Sequence, residues 1–472
     1  MSQLIKHTLF LALLFTSPLF AQTEIDPFPE PIEANKDVIT VAFEEFATIP
    51  DNNGLAARLM SLVDEPGTQR LFVNDMRGVI YSVSFDGKNV APYLDINAGE
   101  WGIPVQPDGR ERGMQSIAFH PQFNQAGAPG YGRFYTWLDT SNTDPEPDFV
   151  PGGGDNTHDT VLLEWQAKTP GGPTYDGGRP RELIRLQQPF RNHNGGQIGF
   201  NPTAKAGDSD EGLLFVGVAD GGSGGDPFGH AQNQNSVFGK ILRIDPLGTN
   251  SKNGAYGIPS DNAFASDGDD ATLGEIYAYG VRNPQHFAWD SAKNQMFLTD
   301  IGQNIVEEID LVTPGANLGW NIWEASFKYI SRGGVGLDNP RGDKNVTFPL
   351  AEYAHTDPII QARASVTGLV VYRGSEIPQL TNLVLWGDLP SGEIFYLNAD
   401  NLPNDGQDGI RRVLLNVDGK TKTLLEVIQD KNREQKREPV TRADLRFGAV
   451  SNGQVYILNK GDGVIRRLVP NK

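Results

Sequence analysis

Short apolar runs, each followed by an acidic or polar turn and then by a second apolar run, recur along this chain. Four such pairs stand out, 71–75 into 78–83, 296–300 into 308–312, 383–388 into 392–397 and 455–458 into 463–465. Runs of this length, rich in Val, Ile, Phe, Tyr and Trp and bounded by Gly, Asp and Asn, predict β-hairpins. Weaker strands at 132–137 and 212–217 fill the gaps, so about six units are distributed along the chain. This spacing predicts an all-β fold, a six-bladed β-propeller of four-stranded antiparallel blades, whose closure hides the sheet edges. The run 38–43 is expected to pair with strands near 455–468 and to join the two ends of the chain in one blade. Stretches 139–159 and 261–272, rich in Gly, Pro, Asp or Ala, read as loops on one rim, and only 424–438 has a helix-compatible composition. No break in composition divides the chain, and residues 23–472 are read as a single domain.

Composition narrows this picture. The 472 residues include 54 Gly and 32 Pro, dispersed as a turn-rich fold requires, and no Cys, so packing alone must hold the chain together. Lys and Arg number 40 against 59 Asp and Glu, a net charge of −19. Such a chain has no basic field for phosphate backbones or anionic lipid, and nucleic acid is excluded as an expected partner. Lys6 and His7 precede an apolar run from Leu9 to Phe15, with Pro18 and Ala21 following, which marks residues 1–22 as a secretory signal peptide. That run is far shorter than the roughly 20 residues a membrane span needs, and no later stretch reaches that length. A soluble periplasmic or secreted protein, monomer or homodimer, is expected.

Three polar clusters carry candidate chemistry. In Arg191-Asn192-His193-Asn194-Gly195-Gly196 a histidine lies beside glycines that allow close approach of a ligand, and the strand between this tract and Asp220-Gly221-Gly222 can return Asp220 to the same end of the blade. A carboxylate there would orient the imidazole of His193 and stabilise its protonated form, as a general base requires. In the second cluster Arg282 supplies a fixed positive charge for an anion or developing oxyanion, and Asn283 both donates and accepts hydrogen bonds. The third, Asp300-Ile301-Gly302-Gln303-Asn304 with Glu307 and Glu308, is rich in the oxygen ligands calcium uses, although its spacing is not that of an EF-hand. With no Cys and seven widely scattered His, zinc and haem sites are disfavoured, and any cytochrome must be a separate protein.

These clusters, together with Gly113-Met114-Gln115-Ser116-Ile117 and Gly239-Lys240-Ile241-Leu242-Arg243, occur in the order of the glucose/sorbosone dehydrogenase family, the soluble quinoprotein sugar dehydrogenases, which the chain resembles over most of its length. The resemblance implies a six-bladed propeller that binds pyrroloquinoline quinone and Ca2+, oxidises a small sugar and passes electrons to an external acceptor. His193 would remove the proton of the anomeric hydroxyl, Asp220 would orient it, and Arg282 would stabilise charge on the quinone oxygen. Asn283 would hydrogen-bond the cofactor, Gly302 and Gln303 would offer backbone carbonyls to calcium, and Glu111 would line the sugar pocket. Where well-known members carry a Lys that grips a cofactor carboxylate, the loop here reads Asp388-Leu389-Pro390-Ser391-Gly392. Of two late Arg residues that clamp the quinone only Arg446 is matched, Asp444 standing at the other position, and Arg363 and Arg442 are the residues that could complete the grip.

Two further readings remain at this stage. A non-catalytic propeller that binds a carbohydrate or a protein, as in hedgehog-interacting-like members, would explain the missing Lys. A calcium-dependent hydrolase of the lactonase type would use Glu111, Asn283 and Asp300 around a divalent ion, and would leave His193 and Asp220 without work.

Overall fold

The computed structural model describes residues 26–143, 145–269, 271–360, 364–451 and 453–471. The expected leader at 1–22 and Arg363 lie outside them. Among the described residues a single α-helix, Leu424–Glu434, accompanies 28 strands, so the fold is all-β.

Four antiparallel four-stranded sheets follow one another along the chain. The first runs from Leu59–Asp64 to Val90–Asp95, the second from Met114–Phe119 to Arg181–Gln188, and the third from Ile198–Phe200 to Ile276–Tyr279. The fourth joins Pro284–Asp290, Gln295–Asp300, Val306–Val312 and Ala351–Ala354. The hairpins expected at 71–83, 296–312, 383–397 and 455–465 all form. Strand Met114–Phe119 neighbours both Leu59–Asp64 and Ile198–Phe200, Leu214–Val218 neighbours Pro284–Asp290, and Val366–Tyr372 neighbours Pro284–Asp290 and Arg446–Ala449, the last of which returns to Leu59–Asp64.

Alternation along the strands explains this stacking, because successive side chains point to opposite faces and each face meets a different neighbour. Phe134 and Leu138 meet Phe72 and Phe119 on the first-sheet side, whereas Tyr135 and Trp137 pack with Ile198, Leu214 and Val216 of the third sheet. Phe215 then faces Phe287 and Leu298, and Phe297 faces Val384, Trp386 and Phe395. Strands buried on both faces lose their amphipathic character, as in Leu214–Val218 and Lys240–Ile244, where every residue is buried.

The closure departs from the expectation of separate four-stranded blades. Strand Ile39–Thr48 pairs antiparallel with Val464–Val469, as the sequence suggested, but its first residues also run parallel to Arg411–Val417, Ile39 opposite Val413 and Val41 opposite Leu415. Nine strands are thereby hydrogen-bonded into one sheet. A further three-stranded sheet, Trp323–Glu324, Phe327–Ser331 and Gly334–Gly336, is inserted after the third strand of the fourth sheet. The helix begins at a capping box, Glu426 N donating to Thr423 Oγ1 and Thr423 N to Glu426 Oε2, and it ends four residues earlier than the composition suggested, at Glu434, with Lys436 in a left-handed conformation at φ 57° and Pro439 just beyond.

Candidate active site

A cavity of about 440 Å3 opens where the loops of several sheets converge, and residues far apart in sequence line it. Glu111, His193, Arg282, Asn283, Gly302, Gln303, Arg442 and Arg446 all face it. Asp220 lies immediately behind His193, with its Oδ1 2.6 Å from His193 Nδ1.

The Gly-rich turns build this pair. His193 itself has φ 58°, and Gly222, whose added Cβ would overlap the carbonyl of Asn192, lets the 220–225 turn fold back on it. Asp220 Oδ1 also accepts from Gly222 N at 2.9 Å, and its Oδ2 accepts from Trp320 Nε1 at 2.9 Å. Burial pushes the Asp220 carboxyl up, yet the charges and hydrogen bonds of His193, with Arg282 nearby, carry it net below the usual carboxylate range. With Nδ1 committed to Asp220, the other ring nitrogen of His193 is left as the basic one. Glu111 does more than line the cavity, because its Oε2 accepts from His193 N at 2.7 Å and pins the backbone of the base. Asn194, next in sequence, is bonded to His158 Nε2, and its carbonyl accepts from Trp137 Nε1.

Arg282 and Asn283 are held from below. Asp300 accepts from both backbone amides, Arg282 N to Oδ2 and Asn283 N to Oδ1, each at 2.6 Å. Burial raises the Asp300 carboxyl to about 7 against these donors. Fully enclosed and spent on amides, Asp300 does not line the cavity, which removes a ligand from the hydrolase reading. Glu307 is likewise turned inward, its Oε2 accepting from Gly302 N and Val366 N. Among the described residues no three His, Asp or Glu side chains are grouped to hold a metal, so calcium here would rest on backbone carbonyls. Gly302 is suited to offer one, since a Cβ there would overlap the carbonyl of Val306, but its carbonyl now accepts from Arg282 Nη1 at 2.8 Å.

Several lining residues were not singled out from sequence: Arg110, Gln115, Gln285, His355 and Lys460. Gln285 bridges the floor, donating to Asn283 Oδ1 at 3.1 Å and accepting from Arg446 Nη2 at 3.1 Å. His355 Nε2 lies 2.6 Å from Glu307 Oε1, the Glu307 contacts outweighing burial to raise this histidine above its ordinary value. Trp320 was missed as well, although it touches two of the proposed functional groups, donating to Asp220 and lying beneath Arg282. Gln115 lies within the Gly113–Ile117 tract and Gln285 two residues after Asn283, whereas no local motif marks Arg110, Trp320, His355 or Lys460. The loop 388–392 contributes Leu389 and Pro390 to the wall, while Asp388 turns away and accepts from Ser365 and Ser391.

Comparison with known proteins agrees with this architecture. The HIPL1 protein of Arabidopsis thaliana is 27% identical over 451 residues, 88% of this chain, and this chain spans only 62% of its length. The apo-form structure of the soluble aldose sugar dehydrogenase of Escherichia coli shares the fold with a TM-score of 0.63 at 18% identity, over 92% of this chain and 100% of that one. The PQQ-bound aldose sugar dehydrogenase of Streptomyces coelicolor gives 0.56 at 18% identity, over 90% and 96%. A family model described as Glucose / Sorbosone dehydrogenase matches residues 60–433, most of the sequence, and places this chain in that family.

Proposed function

We propose that this chain is an exported quinoprotein oxidoreductase that oxidises aldose sugars or related alcohols at the anomeric hydroxyl, with pyrroloquinoline quinone and calcium as its cofactors. The observation that carries this reading is the convergence on one cavity of His193, backed by the buried Asp220, and of the cations Arg282 and Arg446. The chain's residues fit a planar polyanion, because the Nε atoms of both arginines are buried without a partner and await an acceptor.

When bound, the quinone supplies the hydride acceptor and calcium polarises it. His193 takes the proton of the sugar hydroxyl at Nε2, and Asp220 stabilises the imidazolium that results. Trp320 and Gly222 N keep Asp220 in place, and Glu111 keeps the His193 peptide in place. Arg282 offsets developing negative charge, which requires it to release the Gly302 carbonyl that calcium would share with that of Gln303. Arg446, Arg442 and Asn283 would hold the cofactor's polar groups. We also count the nine-stranded sheet as two blades, which makes six, a count supported by the six apolar layers between successive strand groups.

Titration of the metal-stripped mature protein with the quinone and calcium, followed by dye reduction with a panel of aldoses, tests the reading. Saturable activity that disappears in His193→Ala is expected. Absence of quinone binding at micromolar concentration with calcium present would overturn it and leave the carbohydrate- or protein-binding propeller as the alternative.

A further inference from the structure

The cavity contains more positive charge than its own carboxylates answer. Arg446 donates to Thr367 Oγ1 at 2.9 Å and to Gln285 Oε1, Lys460 to the carbonyl of Arg110 at 2.8 Å, and Arg282 to the carbonyls of Ile301 and Gly302, all neutral acceptors. Asp444, which stands among Arg442, Arg446 and Lys460 on the lining, is already engaged by Arg442 Nε at 2.8 Å. Arg58 adds another cation nearby and is likewise spent on carbonyls, those of Pro107 and Gly109. In a chain of net charge −19, gathering cations out of water with too few counterions is unfavourable. An anionic ligand offsets that cost.

Lys460 is placed there by a rigid turn. It lies between strands Val455–Leu458 and Val464–Val469, where Asn459 Oδ1 accepts from Gly461 N and Asp462 N, and Asp462 Oδ1 accepts from Val464 N. The helix clamps the same turn from outside, Asn432 Nδ2 donating to Gly461 O and Gln435 Nε2 to Asp462 O, each at 3.0 Å. Among the described residues, only the Arg110 carbonyl accepts from the three ammonium donors of Lys460.

We propose that Lys460, with Arg446 beside it, forms a carboxylate-binding wall of the cavity and makes the anion contact that the loop 388–392 cannot supply. The assignment rests on the quinone reading above for the identity of the carboxylate, one of the three that quinone carries. Burial first, and then the neighbouring Arg446, Arg58 and Arg442 charges, hold the Lys460 ammonium well below its ordinary pKa, with Asp444 opposing them. A bound carboxylate raises it back toward that value.

The test measures quinone affinity by tryptophan fluorescence, without sugar, in the wild-type protein, Lys460→Met and Lys460→Arg, each with calcium. Lys460→Met is expected to weaken binding about tenfold or more and Lys460→Arg to regain most of it. Melting temperature should be equal or higher in Lys460→Met, because repulsion from Arg446, Arg58 and Arg442 is removed. Equal quinone affinity in the wild type and Lys460→Met overturns the proposal. Unchanged quinone affinity with a raised KM for glucuronate but not for glucose places the anion on the sugar and overturns the assignment to the cofactor. If the wild type binds no quinone, benzene-1,3,5-tricarboxylate becomes the probe. Lys460-dependent binding of that probe upholds the wall and sinks the quinone reading, and no binding sinks both.

Discussion

The indole nitrogen of Trp320 donates to Oδ2 of Asp220 at 2.9 Å, across 100 positions of sequence. The same ring lies 5.5 Å from the guanidinium of Arg282, so one side chain orders both the carboxylate behind the base and the cation beside it. Trp320→Phe keeps an aromatic face for Arg282 and removes the donor. We expect kcat for aldose oxidation to fall about 10- to 100-fold, with quinone affinity little changed. Steady-state kinetics beside a fluorescence titration check this, and an unchanged kcat would show that Asp220 needs no second support.

Asp220→Asn keeps the shape of the side chain and removes the charge that stabilises a protonated His193. A loss of about 10²- to 10⁴-fold in kcat is expected, comparable to that of His193→Ala, with the double variant no worse than either alone. Additive losses would mean that the two residues act separately.

Calcium has no carboxylate cage among the described residues, so its removal should cost function before it costs stability. Chelation is expected to abolish quinone-dependent activity while leaving the melting temperature of the cofactor-free protein within about 1–2 °C. A large destabilisation on chelation would point to a structural ion elsewhere.

Asp388 offers a test of linkage. Burial raises its carboxyl from 3.8 to about 7, in spite of the hydrogen bonds from Ser391 and Ser365. Between those two values the folded state holds a proton that the unfolded state has released, so this group costs stability as pH rises from about 4 to 7. Asp388→Asn carries no such proton. Its stability relative to the wild type should therefore improve by on the order of 2 kcal/mol between pH 5 and pH 7.5, measured by urea unfolding. A constant difference across that range would place the folded value near 3.8.

The ring closure has its own signature. Leu468 is buried opposite Phe43, where the first strand meets the last. Leu468→Ala should cost about 2–5 kcal/mol, as a core cavity does, and shift the urea midpoint of the whole protein instead of freeing one end. A separate early transition would show that the ends are only loosely latched.

The sequence by itself determined the four hairpins, because short apolar runs punctuated by Gly, Asp and Asn leave few other backbone choices, but not the inserted sheet at 323–336 or the parallel pairing of Ile39–Thr48. It also singled out polar tracts that converge in the structure, since His193, Arg282 and Asn283, from glycine-rich or strand-end contexts, line one cavity and Asp220 backs His193. Only the tertiary structure decided how those tracts are supported. Asp300, which as a sequence letter is as good a metal ligand as any, spends both oxygens on the amides of Arg282 and Asn283. Trp320, Gln285 and Lys460 acquire their positions only when sheets distant along the chain converge on one cavity. A chain of net charge −19 gives no hint in its composition of a cation-lined cavity. Local patterning sets backbone and exposure over a few residues, whereas the field at a site is summed over side chains that only ring closure brings within a few ångströms.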